Sequence, residues 1–154
     1  MIALLQRVTE ASVRIGGERV AQIERGLLVL VGVEKGDKGD QADRLLERIL
    51  AYRVFPDAEG RMNLDLKAVQ GGLLLVPQFT LAADTKKGNR PSFGPAAAPE
   101  EGERLFRHLA QRAAGQHAPL GLGVFGADMQ VALVNDGPVT FWLRVAPEET
   151  GPQH

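Results

Sequence analysis

The chain has no cysteine, which removes disulfides, a thiol nucleophile and thiolate-held zinc or iron–sulfur clusters from consideration. Serine is almost as scarce: Ser12 and Ser92 are the only two, and the histidines are His108, His117 and His154. A Ser-His-Asp triad has little to draw on, since His108 falls within a helical pattern and His154 in the tail. His117 follows a helix, where a lone histidine is usually a surface residue. Histidine and carboxylate also lack metal-ligand spacing such as H-E-x-x-H. No apolar run approaches the roughly 18 residues of a membrane span, and the first 15 residues do not have the pattern of a signal peptide. The expectation is a soluble, cytoplasmic protein without a membrane partner. Nor is there an excess of positive charge: 18 Lys and Arg stand against 19 Asp and Glu, a net charge of -1. Any contact with RNA should therefore be small and local.

What is present suffices for one core. A chain of 154 residues, 44% of them hydrophobic, predicts a single domain over residues 1–146 with a flexible tail at 147–154. Residues 2–8 and 12–15 read as strands joined through 9–11, with Gly16 and Gly17 in the next turn. The apolar run 27–33, between Gly26 and Gly36, reads as a buried strand in mid-sheet. Ala42, Leu45, Leu46, Ile49 and Leu50 recur at helical spacing from Asp40, the expected N-cap, to Tyr52. A short strand is expected near 62–66. The apolar stretch 73–81 contains Pro77, which lacks a backbone donor, so this strand should bend or lie at an edge. Residues 82–99 form a long loop with Lys86, Lys87 and Arg90, and loops of that length are often functional. Residues 99–114 read as a second helix ending at Gly115, and the rest as strands at 124–134 and 139–145 around a turn at 135–138. The fold class is α/β, a mixed sheet or two packed sheets with two helices on one side.

Three motifs carry possible chemistry. Gly121-Leu122-Gly123-Val124-Phe125-Gly126 spells G-x-G-x-x-G, but a helix precedes it and a strand pattern comes after. A dinucleotide site needs the reverse order, so these read as turn glycines. Val76-Pro77-Gln78-Phe79-Thr80-Leu81 puts an amide and a hydroxyl at the end of an apolar strand; Thr80 there is also ordinary strand composition. Asn135-Asp136-Gly137-Pro138-Val139-Thr140 contains Asp-Gly, the commonest short hairpin signal, and composition alone favours a hairpin.

Taken together, the last two motifs resemble the signature motifs of the D-aminoacyl-tRNA deacylase family. The likeness extends in order through Met1-Ile2-Ala3-Leu4, Gln6-Arg7-Val8, Gly26-Leu27-Leu28-Val29-Leu30, Asp57-Ala58-Glu59-Gly60, Leu81-Ala82-Ala83-Asp84-Thr85, Arg90-Pro91-Ser92-Phe93 and Ala127-Asp128-Met129-Gln130-Val131. The resemblance implies a β/β/α fold, a homodimer with cross-subunit active sites, and no metal or organic cofactor. Its implied partner is the 3′ acceptor end of tRNA carrying a D-amino acid, or glycine mischarged on tRNA(Ala), whose ester is hydrolysed with L-amino acids excluded. Gln78, Phe79 and Thr80 would line the reacting centre, and Gly137 and Pro138, joined by a cis peptide, would complete the partner's pocket. Arg7 would help hold that motif, Phe125 would lie near the terminal adenosine, and Pro77 and Met129 would complete the substrate site. The family usually has serine where this chain has Pro77, which favours main-chain chemistry at Phe79 and Thr80 with help from the tRNA's own vicinal hydroxyl. Two rivals stand beside this reading. One is a deacylase of the same fold that edits an L-amino acid, against which the intact 135–140 motif argues. The other is a non-catalytic nucleic-acid module gripping phosphates through Lys86, Lys87 and Arg90.

Overall fold

The computed structural model describes residues 1–147; the expected tail, apart from Pro147, lies outside the described residues. Within them, eight strands and two helices succeed one another as β1 (Ile2–Ile15), β2 (Glu18–Ile23), β3 (Gly26–Gly32), α1 (Gly39–Ala51), β4 (Phe55–Pro56), β5 (Met62–Leu64), β6 (Gly72–Pro77), α2 (Pro99–Gln116), β7 (Leu120–Leu122) and β8 (Gln130–Arg144). A 3-10 turn, Phe79–Ala82, comes directly after β6.

The main sheet runs β2-β1-β3-β6-β7, with β8 also paired to β1. β8 accompanies nearly the whole length of β1, whose other partners are β3 along residues 2–8 and β2 along residues 11–15. β3 and β6 are parallel and central, and their sequences explain why. Leu27, Val29, Val31, Leu73 and Leu75 pack against Leu45, Ile49, Leu105 and Leu109 of the helices. The alternate residues Leu28, Leu74 and Val76 meet Val8, Ala11, Val13 and Ile23, where the sheet folds over on itself. A strand buried on both faces has no polar alternation to preserve, hence the uninterrupted apolar runs. The result is three layers, two of sheet and one of helices, in an α/β domain. Among the described residues no helix is long and apolar enough to cross a membrane.

Several expectations change in detail. The two N-terminal strands are one, because residues 9–11 stay in register with β8 through a small irregularity. The N-cap of α1 is Lys38, whose backbone N–H donates to the Gln41 side chain at 2.7 Å, and Asp40 instead lies in the first turn, where its charge suits the helix dipole. α2 passes through Gly115 to Gln116, and His117, far from being a surface residue, is buried with its ring Nε2 2.7 Å from the Gly71 carbonyl oxygen. Pro77 neither bends β6 nor marks an edge: β6 has neighbours on both sides and ends there. β7 has no counterpart among the expected strands; its three residues, two half-buried, are too few to show a period.

Candidate active site

β6 ends because its sequence stops supplying donors. Gly123 donates to the Leu75 carbonyl and Gln78 to that of Val31, both at 2.8 Å, and between them Pro77 has no N–H to continue the ladder. The chain then enters the Phe79–Ala82 turn. The first amides of such a turn have no partner within it, and those of Phe79 and Thr80 donate to no group among the described residues. The Gln78 side-chain amide donates to the Thr80 hydroxyl, which is exposed to solvent.

Beside this turn lies a cleft of about 490 Å³ walled by β3, the end of β6, α2 and the segment 125–131. Pro77, Gln78, Phe79, Phe125 and Met129 all line it, whereas Thr80 stands just outside the lining. Among the described residues Asp128 is the only ionisable side chain on its walls, and it is exposed. The cleft therefore offers apolar surface and main-chain donors rather than an acid–base pair. Sequence reasoning missed Gly102 and Phe106 of α2 and Val31, Val33 and Ala97, which also contribute. A glycine amid the helix formers of α2 was the available signal, since it costs about 1 kcal/mol relative to alanine and asks for a reason. The reason is proximity: a Cβ at Gly102 would lie 3.3 Å from the Phe125 ring.

The G-x-G-x-x-G glycines are explained in the same way. A Cβ on Gly123 would lie 3.0 Å from the Met129 sulfur and 3.1 Å from Pro77 Cδ, and one on Gly121 would lie 3.0 Å from Leu74. Gly126 turns the chain at φ +79°, and the next element is the strand β8, not a helix.

The 135–140 motif is not a hairpin. Thr140 pairs with Gln6 and Asn135 with Val8, so β8 keeps its direction and the residues from Asp136 to Val139 bulge out opposite Arg7 alone. Arg7 donates from Nε to the Asp136 carbonyl at 3.1 Å and from a terminal nitrogen to the Val54 carbonyl at 2.7 Å. Asn135 closes the bulge from within: its side chain accepts from Val139 N at 3.0 Å and donates to the Thr140 hydroxyl at 2.8 Å. Gly137 has φ +132°, and a Cβ there would lie 2.6 Å from the Val139 side chain. The Gly137–Pro138 peptide is cis, and both residues are exposed. Arg7, Gly137 and Pro138 do not line the cleft of their own chain.

The family model described as D-Tyr-tRNA(Tyr) deacylase matches residues 4–144. The chain belongs to that family. It is 63% identical over 147 residues to a D-aminoacyl-tRNA deacylase of Thioalkalivibrio sulfidiphilus, covering 96% of this chain and 99% of the relative. The corresponding protein of Methylococcus capsulatus is 62% identical over 148 residues, with 96% and 97% covered. Among solved structures, the c-Myc DNA Unwinding Element Binding Protein superposes with a TM-score of 0.90 at 38% identity, covering 95% of this chain and 99% of that one. A probable eukaryotic D-amino acid tRNA deacylase superposes with a TM-score of 0.74 at 16% identity, covering 92% and 97%, and shares the fold. The cleft beside the end of β6 is the candidate active site of this chain.

Proposed function

We propose that the protein hydrolyses the ester joining a D-amino acid, or glycine mischarged on tRNA(Ala), to the terminal ribose of tRNA, and spares L-aminoacyl esters. The observation that carries this reading is the pair of free amides at Phe79 and Thr80 beside an apolar cleft, in a chain belonging to a deacylase family. N–H groups left free in this way can stabilise the oxyanion that forms when water attacks the ester carbonyl. The cleft walls supply one exposed carboxylate and no imidazole or amine among the described residues, so the 2′-hydroxyl of the same ribose, adjacent to the ester, is the nearest group able to relay a proton. Phe125 and Met129 hold the terminal adenosine, and the reaction needs neither a protein nucleophile nor a metal.

Selection for the D form acts at the α-carbon. Enantiomers carry identical groups, and a side-chain pocket gains only about 1–3 kcal/mol per methylene, so recognition of side chains cannot give broad D-selectivity. Exclusion can. The exposed Gly137 and Pro138, away from their own cleft, are proposed to enter the cleft of a second copy in a two-fold dimer and leave no room on the L side. The long β8, paired on one edge only by β1, is an open edge suited to such an assembly. The test is to incubate matched D- and L-aminoacyl-tRNA with the protein across a dilution series, with sedimentation measured at each concentration. Cleavage of the D ester alone, lost as dimers dissociate, is the expected result. Cleavage of neither ester above its spontaneous rate, or a fully active monomer, contradicts it.

A second reading takes its support from the 38% identical neighbour named for binding a DNA unwinding element: a module that holds nucleic acid without cleaving it. A steep fall in RNA affinity with salt, without ester hydrolysis, would favour that module over an enzyme that grips only an acceptor end.

A further inference from the structure

An aromatic pair joins the cleft to its surroundings, with Phe79 on the cleft wall and Phe93 outside the lining. The rings of Phe79 and Phe93 stand 5.1 Å apart at 52°, and they remain 58% and 44% exposed. Phe93 comes just after a loop closed at its base, where Asp84 and Ser92 exchange backbone hydrogen bonds of 2.7 and 3.0 Å. Lys86, Lys87 and Arg90 occupy that loop. Its one carboxylate, the exposed Asp84, accepts from the Lys86 amide at 2.9 Å. Lys86, Lys87 and Arg90 are exposed, and among the described residues none of the three makes an ion pair. Residues 82–98 thus hold three cations and one carboxylate in a chain of net charge -1.

We propose that Phe93, with Phe79 and the Lys86–Lys87–Arg90 loop, forms a second nucleotide subsite, which stacks an unpaired base and pairs the adjoining phosphates. The inference rests on the deacylase reading for its ligand, because the ester must occupy the cleft, so the nucleotide on the rings is the one preceding the terminal adenosine. Exposed rings beside a short cationic loop match a single strand, which presents a base face and a phosphate at each step. A duplex hides its base faces and would leave the rings without a partner. The arrangement also reconciles a weak net charge with RNA binding, since the positive charge is concentrated at one spot.

The probe is a labelled unpaired RNA ending in CCA, titrated by fluorescence anisotropy into the wild type, Phe93→Ala, Phe93→Tyr and the double variant Lys86→Gln, Lys87→Gln. Phe93→Ala is expected to weaken binding about tenfold, in line with one lost base–ring stack, and Phe93→Tyr to restore it. The double variant should make the log–log salt dependence shallower by about 0.7 for each phosphate that is no longer neutralised. In parallel, Phe93→Ala should slow hydrolysis of D-aminoacyl-tRNA about tenfold while cleaving D-aminoacyl-adenosine, which lacks the second nucleotide, at the wild-type rate. That second substrate also reports whether the variant is folded. Equal losses on both substrates would make Phe93 a support of the reacting centre and overturn the subsite, as would unchanged RNA affinity or equal affinity for duplex RNA. A wild type that cleaves neither ester defeats the deacylase reading, and the anisotropy arm still decides whether the rings bind RNA.

Discussion

Thr80 has the hydroxyl that a hydrolase of esters could use, but its surroundings do not activate it. Its oxygen accepts from the Gln78 amide, and among the described residues no imidazole or amine shares the cleft walls. A hydroxyl without an adjacent base is a weak nucleophile. Thr80→Ala should therefore keep hydrolysis of D-aminoacyl-tRNA within about tenfold of wild type in single-turnover assays, whereas loss of a true nucleophile costs many orders of magnitude. Pro77, at the entry to the same turn, points the same way, since it offers no hydroxyl at all. Gly102 makes a different demand. Its 3.3 Å clearance from the Phe125 ring means that Gly102→Ala gains about 1 kcal/mol of helix propensity only by displacing the ring proposed to hold adenosine. Thermal unfolding and KM measured on one preparation should separate the two effects: stability held or raised, KM increased several-fold. An unchanged KM would remove Phe125 from the site.

At the scale of elements, the bulge in β8 is held from one side by Arg7 and from within by Asn135. Arg7 spans two carbonyls on different segments with a rigid fork, which lysine cannot imitate. Arg7→Lys should cost about 1–3 kcal/mol, speed amide exchange around residues 135–140, and reduce activity without unfolding the domain; exchange identical to wild type would show that Arg7 does not hold the bulge. The bulge also shows where sequence reasoning succeeds and fails. Long periodic segments were legible: α1 and α2 differ from expectation by a residue or two, and β3 emerged in mid-sheet because its leucines and valines are buried on both faces. Asp136-Gly137 was legible only as a hairpin, because local turn chemistry is the same whether the chain reverses or bulges; pairing with Gln6 and Val8, far away in sequence, decides it. His117 failed for a similar reason: its acceptor, the Gly71 carbonyl, lies 46 residues away. Of the candidate site, Pro77, Gln78, Phe79, Phe125 and Met129 converge on one cleft, but their convergence was implied by family resemblance rather than by spacing. Gly102 and Ala97 carry no chemistry of their own, so only packing reveals them.

For the molecule as a whole, the first and last strands are tied together by a polar cluster under the long loop. The Met1 ammonium donates to Glu34, Asp37 and the Val145 carbonyl at 3.2, 2.9 and 2.7 Å, and Arg144 grips Glu34 at 2.8 and 2.9 Å. The backbone beside Glu34 holds the end of the loop that forms one cleft wall: the Lys35 amide donates to the Pro95 carbonyl, and the Ala97 amide donates to that of Val33. Burial raises the pKa of Glu34, but Arg144 and the ammonium outweigh it and leave the carboxyl below its ordinary 4.5. Burial prevails at Asp37 and holds it above its ordinary 3.8, against the ammonium and the Glu34 amide. The signs are opposite. The depressed Glu34 adds stability above pH 4.5 that is lost as pH falls through its folded value, whereas Asp37 favours the fold at acid pH and loses that advantage as pH rises through its own. Glu34→Gln also removes a charge that helps to raise Asp37, so the difference between the unfolding free energies of wild type and variant reports the Glu34 carboxylate together with that repulsion. That difference should be largest at neutral pH and shrink below pH 4.5; a difference independent of pH would mean that the ion pair contributes nothing.

The selection proposed for this site is exclusion of L-amino acids at the α-carbon, not recognition of D side chains. Its most direct test compares glycyl-, D-alanyl- and L-alanyl-tRNA with one enzyme preparation, each hydrolysis rate set against the spontaneous rate. Exclusion at the α-carbon predicts that the glycyl and D-alanyl esters are both cleaved, because neither places a group on the L side, while the L-alanyl ester survives. L-alanyl-tRNA cleaved as fast as D-alanyl-tRNA, or glycyl-tRNA spared as firmly as L-alanyl-tRNA, would contradict it.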